Sequence, residues 1–493
     1  MMIVLAANVA CRKTKYVFPG QFYTVFGSIL VSVACTGLFA FAVIIRPRPI
    51  WNPQYVIPMV GMLLGNSVNG ISITMNSLCI ALVEQQREIE LYLSFGATSY
   101  EAVSRLLCEA VRSGTTPILN SMAVIGIISI PGMMTGQILG GSPVMFAARY
   151  QMLIMYLIAV STFGAILMEI RFILGIGFDS SHILQSESFA KAPVSKSLLD
   201  MARNSLFATS LVTRSSSSRY GGQHGRNEMK SLRSSGNNGP SYTSKPSKLE
   251  VHPLIEVFDS SLDKGHSPDN DLLIDGLTKS IVITDDSDAD GMIEPNHVRT
   301  LFNELSFKLG SGEISLVRGP SGCGKTQLLR LIAGLSHLDE GTISLDGIRL
   351  QAFDCPSDWR KRVRYVTQYK VDVPGSPREF VRRVTSFKSW KRDGWPTEQD
   401  MVKSAIELVE QWGLPASCLD KEWSVLSGGE AQRVIVALSL ASNPSVLLLD
   451  ESTSALDMDS KVAVERTIDD LTKENRLKVL WVSHDPGILR RYE

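Results

Sequence analysis

The sequence predicts two folded parts, an α-helical transmembrane domain followed by an α/β domain built around a P-loop, which is a loop that binds phosphate groups. Three observations lead to this prediction. Residues 1–180 of the 493 are strongly apolar and contain long uncharged runs. Residues 181–271 are rich in Ser, Gly and Asn. Residues 272–493 have the mixed composition of a globular domain and carry GPSGCGKT between a strand-like and a helix-like segment.

Four uncharged apolar runs are candidates for membrane spans, because a spanning helix needs about 20 apolar residues. They cover residues 22–45, 54–83, 113–148 and 150–168, and the last run ends before Glu169 and Arg171. Residues 1–10 are apolar but too short to span. We expect them to be the end of a further helix, so that the transmembrane domain at 1–180 is N-terminally incomplete. A soluble domain of this size would not bury four such runs.

Charge predicts the orientation and excludes one class of partner. Segments 9–20 and 84–114 hold more Lys and Arg than the loops between them, which places them in the cytosol with the C-terminal domain. The chain as a whole has 49 basic and 49 acidic residues, a balance that indicates no nucleic-acid partner. The seven cysteines are scattered without a CxxC pair, which predicts reduced thiols.

A linker is predicted over residues 181–271. Its apolar content is too low to offset the entropy of ordering the chain, so we expect a disordered Ser/Gly-rich tether. Two interpretations of its basic middle remain open. It is either a solvated spacer with phosphorylatable serines or a segment that touches anionic lipid.

The P-loop begins after ISLVR at 314–318, a short apolar run typical of a buried strand, and the helical run QLLRLIAGL follows it. Glycines let backbone N–H groups converge on phosphate oxygens, and the helix N-terminus adds a favourable dipole. Lys325 is expected to reach the β- and γ-phosphates, and the Thr326 hydroxyl to bind Mg²⁺. The nucleotide-binding residues predicted in this loop are Gly319, Pro320, Ser321, Gly322, Cys323, Gly324, Lys325 and Thr326.

Two further motifs fit the same site. VLLLDE at 446–451 reads as a buried strand that ends in Asp450, placed to hold Mg²⁺, and Glu451, placed to polarise the attacking water. An acidic pair alone would more often be a helix cap. LSGGEAQR at 426–433 opens another helix with phosphate-binding geometry. Because one domain needs one P-loop, this second helix start predicts contact with a nucleotide held by another subunit.

The order of the motifs is typical of one family. Gln368 stands in VTQYK, SALD occupies 454–457, and His484 stands in WVSHD. With GPSGCGKT, LSGGE and VLLLDE, these motifs make residues 272–493 resemble an ABC-type ATPase, an α/β P-loop fold with a helical subdomain. The usual aromatic residue before the P-loop is missing from 280–300. The chain also ends soon after His484, where family members continue with closing strands, so we expect a truncated end.

The resemblance implies the chemistry and the partners of the site. The cofactors are ATP and Mg²⁺, and the partner is a second copy of the chain in a homodimer with composite ATP sites. The implied catalytic residues are Glu451, His484 and Gln368. The implied Mg²⁺ ligands are Thr326, Gln368 and Asp450. The residues expected to close on the partner's ATP are Ser427, Gly428 and Gly429.

ELYLSFGATSYEA, residues 90–102, lies between two apolar runs and has a helix–Gly–helix pattern with small residues at its centre. Its surroundings resemble the permease of the bacterial iron-export (Fet-type) ABC system and the related plant aluminium-tolerance membrane proteins. The blocks that carry this resemblance include IPMVGMLLGNSVNGISI and SIPGMMTGQILGG. In such transporters a short cytosolic helix fits a groove on the ATPase. We expect residues 90–102 to dock near Gln368, with Gly96 and Ala97 against the ATPase surface.

The function expected from this combination is ATP-driven export of a metal ion, iron-like by resemblance, by a half-molecule embedded in a lipid bilayer. Two alternatives stay open: export of a nucleotide sugar such as UDP-glucose, and a membrane-tethered regulatory ABC ATPase without transport. The spans contain no cluster of His, Cys, Asp and Glu. Met and Asn in spans more often serve packing than transport. The polar or soft side chains considered for a transport path are Asn66, Asn69, Asn76, Asn120, Ser121, Met133 and Met134.

Overall fold

The structure is a computed structural model of the chain. It describes residues 1–45, 53–125, 132–191, 256–258, 271–283, 297–392, 394–474, 477–485, 487–488 and 491. Most of the predicted linker lies outside these residues.

The N-terminal domain is helical in the part that the structure describes. Its helices are α1 Met2–Cys11, α2 Gln21–Phe39, α3 Pro53–Glu84, α4 Gln86–Ser94, α5 Ser99–Ala102, α6 Ser104–Val124, α7 Gly132–Leu139 and α8 Val144–Gly177. A π-helical segment, Ala40–Ile45, continues α2. Three of these described segments are long and apolar enough to cross a membrane: 21–45, 56–84 and 144–177.

Two predicted spans differ from the structure. Residues 113–148 are not one helix, because α6 ends at Val124 and α7 ends where Gly141 turns the chain with a φ of +87°. The last predicted span stopped at residue 168, but α8 runs on to Gly177. It does so because the Glu169 carboxylate is buried against hydroxyl groups of α2 and does not mark the membrane edge.

The helices α3, α6 and α8 approach closely where their facing residues are small. A Cβ on Gly114 would lie 3.0 Å from the carbonyl oxygen of Gly70, so both positions require glycine or a shift of the helices. Buried apolar residues form one continuous cluster that extends from this domain into the C-terminal domain. The two domains therefore share a packed interface.

Both ends of the predicted linker are structured, which corrects its boundaries. Strand β1 (Tyr16–Val17) pairs antiparallel with β2 (Ala190–Lys191), and the rings of Phe18 and Phe189 lie 6.0 Å apart. Residues up to 191 therefore belong to the N-terminal domain. Strand β3 (Glu256–Phe258) pairs antiparallel with a strand of the C-terminal domain, which thus starts before residue 272.

The C-terminal domain has a mainly parallel sheet in the order β3-β6-β11-β10-β9 and an antiparallel sheet in the order β5-β4-β7-β8. The remaining strands are β4 Leu272–Ile283, β5 His297–Leu309, β6 Ile314–Arg318, β7 Glu340–Leu345, β8 Ile348–Arg349, β9 Val363–Val366, β10 Val446–Asp450 and β11 Lys478–Val482. The helices are α9 Lys325–Ile332, α10 Pro356–Arg362, α11 Pro377–Thr385, α12 Glu398–Gln411, α13 Gly428–Ala441 and α14 Met458–Lys473.

The parallel strands are mostly apolar because both faces of the sheet are covered. Every residue of β9, β10 and β11 is buried. Loops with functional side chains leave a parallel sheet at the carboxyl ends of its strands. The loops that follow β6, β9, β10 and β11 carry the four motifs singled out in the sequence, so the fold brings them to one edge.

Candidate nucleotide site and domain interface

The P-loop joins β6 to α9 as the sequence predicts. Gly322 and Gly324 have φ values of +77° and +106°, the left-handed region that favours glycine. The Lys325 ammonium donates hydrogen bonds to the carbonyl oxygens of Gly319 at 2.8 Å and Pro320 at 3.1 Å. These bonds fold the loop around the lysine head. The chain at this point is shaped as a cradle rather than a simple turn.

The interior of this cradle is lined with unpaired backbone donors. In the described structure the N–H groups of Gly322, Gly324, Lys325 and Thr326 donate to no backbone or side-chain acceptor. Converging free N–H groups at a helix start form a site for phosphate oxygens. A Cβ at Gly322 would meet no atom within 4 Å, so the space beside the loop is open. The residues present fit the triphosphate of ATP.

Asp450 ends β10 beside the P-loop. Its carboxylate accepts a hydrogen bond from the Tyr365 hydroxyl at 3.0 Å, and Thr326 also hydrogen-bonds to it. Burial raises the pKa of Asp450, and the hydrogen bonds from Thr326 and Tyr365 oppose that shift. Burial also raises the pKa of Tyr365, with the Asp450 charge acting in the same direction. A buried carboxylate beside a threonine hydroxyl is an oxygen donor set that suits Mg²⁺.

Glu451 lies between the other two predicted catalytic side chains. Gln368 donates from Nε2 to one oxygen of Glu451 at 2.8 Å, and His484 Nε2 is 3.4 Å from the other oxygen. Glu451 has a φ of +48°, a backbone conformation that is uncommon outside glycine. Its backbone N–H donates to the Val482 carbonyl at 3.0 Å, which fixes this turn against β11. The three side chains therefore face one point at the sheet edge.

A cleft lies beside Glu451. It encloses about 320 Å³ and is lined by Glu451, Ser454, Lys461, His484 and neighbouring residues. Its lining includes Ser454 and Leu456 of the SALD segment at 454–457.

The LSGGE segment caps α13 through a reciprocal pair of hydrogen bonds. The Ser427 hydroxyl accepts from the Glu430 N–H at 3.2 Å, and the Glu430 carboxylate accepts from the Ser427 N–H at 2.8 Å. Ser427 and Gly428 are exposed. Among the described residues no hydrogen bond or ion pair joins 427–433 to the P-loop at 319–326. The structure thus brings together Lys325, Thr326, Gln368, Asp450, Glu451 and His484 and leaves the LSGGE segment apart.

Residues 90–102 pack against the C-terminal domain. All residues from Glu88 to Ala97 are buried. Trp390 donates from Nε1 to the Phe95 carbonyl at 2.7 Å, and the Ser389 hydroxyl donates to the Gly96 carbonyl at 2.7 Å. The Phe95 and Phe380 rings meet edge to face with centroids 5.0 Å apart. The segment is a short helical hairpin inserted into a groove.

The turn of this hairpin leaves no room for a larger side chain. Gly96 has a φ of +83°, and a Cβ there would lie 2.7 Å from Lys361 Cγ and 3.0 Å from the Ser357 carbonyl oxygen. Arg87 stacks its guanidinium 3.9 Å from the centre of the Tyr369 ring, next to Gln368. The expectation that small residues of this segment lie against the ATPase surface is confirmed at Gly96 and Ala97. The contact next to Gln368 is made by Arg87, just before the segment.

An ion pair connects the hairpin to the P-loop helix. Arg330 on α9 donates two hydrogen bonds to Glu90, at 2.9 and 2.8 Å. Paired guanidinium and carboxylate groups in this bidentate geometry are stronger than single hydrogen bonds. Arg330 was not among the residues predicted from the sequence, although its position in the helix after the P-loop was a usable signal.

A second contact lies where α8 ends. Arg360 on α10 is fully buried and donates to the carbonyl oxygens of Ser181 at 2.8 Å and His182 at 3.3 Å. His182 in turn contacts the Ser99 hydroxyl with Nδ1 at 3.0 Å. Ser181 and His182 were assigned to the linker, because a polar turn after an apolar helix resembles the start of a tether.

Comparison with known proteins divides the chain at the same place as the fold. Residues 1–174 match the family described as Uncharacterised protein family (UPF0014), and residues 302–454 match the family described as ABC transporter. The chain is 36% identical over 187 residues to the probable iron export ATP-binding protein FetA of Escherichia coli (strain K12), covering 38% of this chain and 78% of that protein.

The chain belongs to the ABC transporter family. Its C-terminal domain is an ABC ATPase, and its N-terminal domain makes it a membrane protein. Over 161 residues it is 37% identical to the UPF0014 membrane protein slr1647 of Synechocystis sp., covering 33% of this chain and 62% of that protein. It is also 34% identical over 198 residues to the Fe(3+) ions import ATP-binding protein FbpC 1 of Rhodococcus jostii (strain RHA1), covering 40% of this chain and 55% of that protein. The chain therefore spans less than two thirds of each of these two relatives.

This ABC transporter combines in one chain the two kinds of domain that its relatives match separately. The ATPase domain is similar to proteins named for export and to proteins named for import, so that domain alone does not define a direction. The membrane domain carries the docking hairpin at 90–102, and the ATPase carries the groove that receives it. The two halves are fitted to each other.

Proposed function

We propose that the chain couples ATP hydrolysis to the export of an iron-like metal ion across a membrane, with the ATPase domain in the cytosol. The observation that carries the proposal is the fit between a UPF0014-type membrane domain and an ATPase domain that resembles FetA, a probable iron export ATP-binding protein. The hairpin at 90–102 supports coupling, because its Glu90 contacts the P-loop helix, and Arg87 just before it stacks on Tyr369.

The side chains of the nucleotide site have distinct roles in this proposal. ATP, when bound with Mg²⁺, supplies the phosphoryl group that is transferred to water. The free N–H groups of Gly322, Gly324, Lys325 and Thr326 hold its phosphates. Thr326, Gln368 and Asp450 supply oxygen ligands for the metal. Glu451 accepts the proton of the attacking water. His484 and Gln368 hold the Glu451 carboxylate in place.

A second copy of the chain completes the site. Ser427 and Gly428 are exposed at the start of α13 and do not contact their own P-loop, which supports a homodimer in which they close on the ATP of the partner. Each nucleotide would then lie between the P-loop of one chain and the LSGGE segment of the other.

The experiment uses the full chain in proteoliposomes with the ATPase domain outward. ATP and radiolabelled Fe²⁺, Al³⁺ or UDP-glucose are supplied outside in parallel, and accumulation is measured. We expect accumulation of iron that requires ATP and is lost in Glu451→Gln. Accumulation of UDP-glucose instead would favour the sugar alternative. Release of preloaded iron on addition of outside ATP would indicate import, and ATPase activity without movement of any of the three would contradict transport.

A further inference from the structure

A carboxylate is buried within the membrane domain without a cationic partner. Glu169 on α8 has no exposed surface. It lies eight residues before the end of α8 at Gly177, about 12 Å along the helix from the end that faces the ATPase. Among the described residues no Lys, Arg or His forms an ion pair with it. An ionisable side chain at such a position is costly and is expected to serve a function.

The hydrogen-bond partners of Glu169 are two neutral hydroxyl groups. Thr24 donates its hydroxyl to one carboxylate oxygen at 3.1 Å, and Ser28 donates to the other at 2.9 Å. Both lie on α2. These bonds satisfy the lone pairs that they engage but leave the negative charge uncompensated. Carboxylate and hydroxyl oxygens together form a partial ligand set for a divalent cation.

Two further polar groups on the same helix lack partners. The Thr162 hydroxyl and the Gln151 side-chain oxygen are buried and make no hydrogen bond in the described structure. Their residues are 1% and 4% exposed. Unsatisfied buried polar atoms are uncommon, and each remains available to bind a ligand.

The three side chains are aligned. Thr162 and Glu169 follow Gln151 by 11 and 18 residues. Both separations are close to whole numbers of helical turns, so the three residues share one face of α8. The distance from Gln151 to Glu169 along the helix is about 27 Å, nearly the thickness of the hydrocarbon core. Ser161, beside this face, contacts the Ser67 hydroxyl of α3 at 3.3 Å. Polar groups therefore extend across the membrane domain between α2, α3 and α8.

We propose that Glu169 binds the transported divalent metal ion inside the membrane domain and that Thr162 and Gln151 line its route. This inference rests on the proposed function and names the side chain that recognises the cargo. A negative carboxylate attracts a metal cation and repels the diphosphate of a nucleotide sugar. The described residues include no group of three His, Cys, Asp or Glu side chains able to hold a metal ion. A site with one strong ligand suits an ion that must be released.

The test compares the full-length wild type with Glu169→Gln, Glu169→Asp and the control Glu109→Gln in the proteoliposome assay with Fe²⁺. Glu109 is an exposed carboxylate on α6 outside the polar face. Loss of a residue that only hydrogen-bonds to a metal ligand typically costs roughly 10–100-fold in affinity or activity. Loss of the ligand itself in Glu169→Gln should therefore reduce iron accumulation by at least that factor. We expect Glu169→Asp to retain part of the rate, and Glu109→Gln all of it. ATP hydrolysis measured with Mg²⁺ but without Fe²⁺ should be unchanged in all variants.

A second measurement detects binding without transport. A hydrophobic carbodiimide modifies carboxyl groups in apolar surroundings, and mass spectrometry reports the extent at Glu169 in the wild type. We expect Fe²⁺ to protect Glu169 and Na⁺ not to. Equal modification with and without Fe²⁺, or wild-type iron transport by Glu169→Gln, would overturn the inference. A wild type that moves no metal would instead remove the proposed function. The protection measurement still decides the site if Glu169→Gln does not fold.

Discussion

Arg330, on the helix that begins with the P-loop lysine, donates hydrogen bonds to both carboxylate oxygens of Glu90 in the membrane domain. The pair is largely buried, with side-chain exposures of 22% and 11%. Arg330 also lies within electrostatic reach of Asp450 and Tyr365 at the nucleotide site. A movement of α9 on nucleotide binding would therefore displace the docking hairpin through the Arg330–Glu90 pair.

Glu90→Gln should uncouple hydrolysis from transport. The substitution leaves the Arg330 guanidinium buried without its counter-charge, a change that typically costs about 2–5 kcal/mol across an interface. We expect ATP binding to be retained and metal accumulation per ATP hydrolysed to fall. Glu84→Gln is the matched control, because Glu84 pairs with Lys15 and both side chains are about half exposed. An unchanged transport ratio in Glu90→Gln would show that the pair has no coupling role.

Gly96→Ala should weaken the docking of the hairpin. The added methyl group would collide with Lys361 and the Ser357 carbonyl, and overpacking of this kind costs about 1–3 kcal/mol. Gly413→Ala is a stringent control, because Gly413 has a φ of +78° but a Cβ there would meet nothing within 4 Å. Gly96→Ala introduces both a collision and backbone strain, whereas Gly413→Ala introduces backbone strain alone, so comparing their transport rates separates the two effects. Equal losses in both would assign the effect to strain.

The sequence predicted which residues gather at the candidate nucleotide site, because that grouping depends on short contiguous motifs. GPSGCGKT needs a strand before it and a helix after it, and the position of Lys325 follows from that local order. Glu451, Gln368 and His484 were predicted from motif order, and the parallel sheet brings them to one edge. The hairpin at 90–102 was also predictable, because Gly96 between two helical runs indicates a tight turn.

The contacts that were missed depend on residues distant in the chain. Glu169 was predicted to lie just after a membrane span, because a carboxylate that follows an apolar run usually marks the edge of the membrane. Its burial depends on Thr24 and Ser28, which are more than 140 residues away in sequence. Arg360 and His182 were missed for the same reason, because neither carries a local pattern that predicts its partner.

Glu451→Gln should retain ATP binding and lose turnover. The amide keeps the size of the side chain and a hydrogen-bonding partner for Gln368 but cannot accept the proton of water. Loss of a general base typically lowers the rate by about 10²–10⁴-fold. Equilibrium binding of a fluorescent ATP analogue and steady-state phosphate release measure the two steps separately. Turnover at the wild-type rate would remove Glu451 from the proposed role.

Mixing two inactive chains should restore activity if the ATP sites are composite. Lys325→Ala disables the P-loop of one chain, and Ser427→Arg blocks the LSGGE segment of the other. A heterodimer then retains one intact site, made of the wild-type P-loop and the wild-type LSGGE segment. We expect ATPase activity to rise on co-expression above that of either variant alone. No rise, with heterodimers demonstrated by two affinity tags, would contradict the composite arrangement of the ATP sites.

His182 should make the contact between the two domains sensitive to pH. Its Nδ1 accepts a hydrogen bond from the Ser99 N–H at 3.3 Å, which requires the neutral ring. Burial lowers the pKa of His182 below its ordinary value of 6.5; the Arg360 charge adds to this shift and Glu101 opposes it. The folded protein therefore binds fewer protons here than the unfolded chain. The stability that the neutral ring contributes is present above pH 6.5 and declines as the pH falls below that value.

The measurement is the thermal unfolding midpoint of the full chain in detergent between pH 7.5 and 5, compared with that of His182→Asn. Asparagine tolerates the φ of +53° at this position and offers an oxygen acceptor to Ser99, but it does not titrate. Carboxylates and other histidines affect both proteins equally, so the difference between the two midpoints isolates His182. We expect the wild type to lose more stability than His182→Asn as the pH falls through the range below 6.5. A difference that is independent of pH would mean that protonation of His182 does not control this contact.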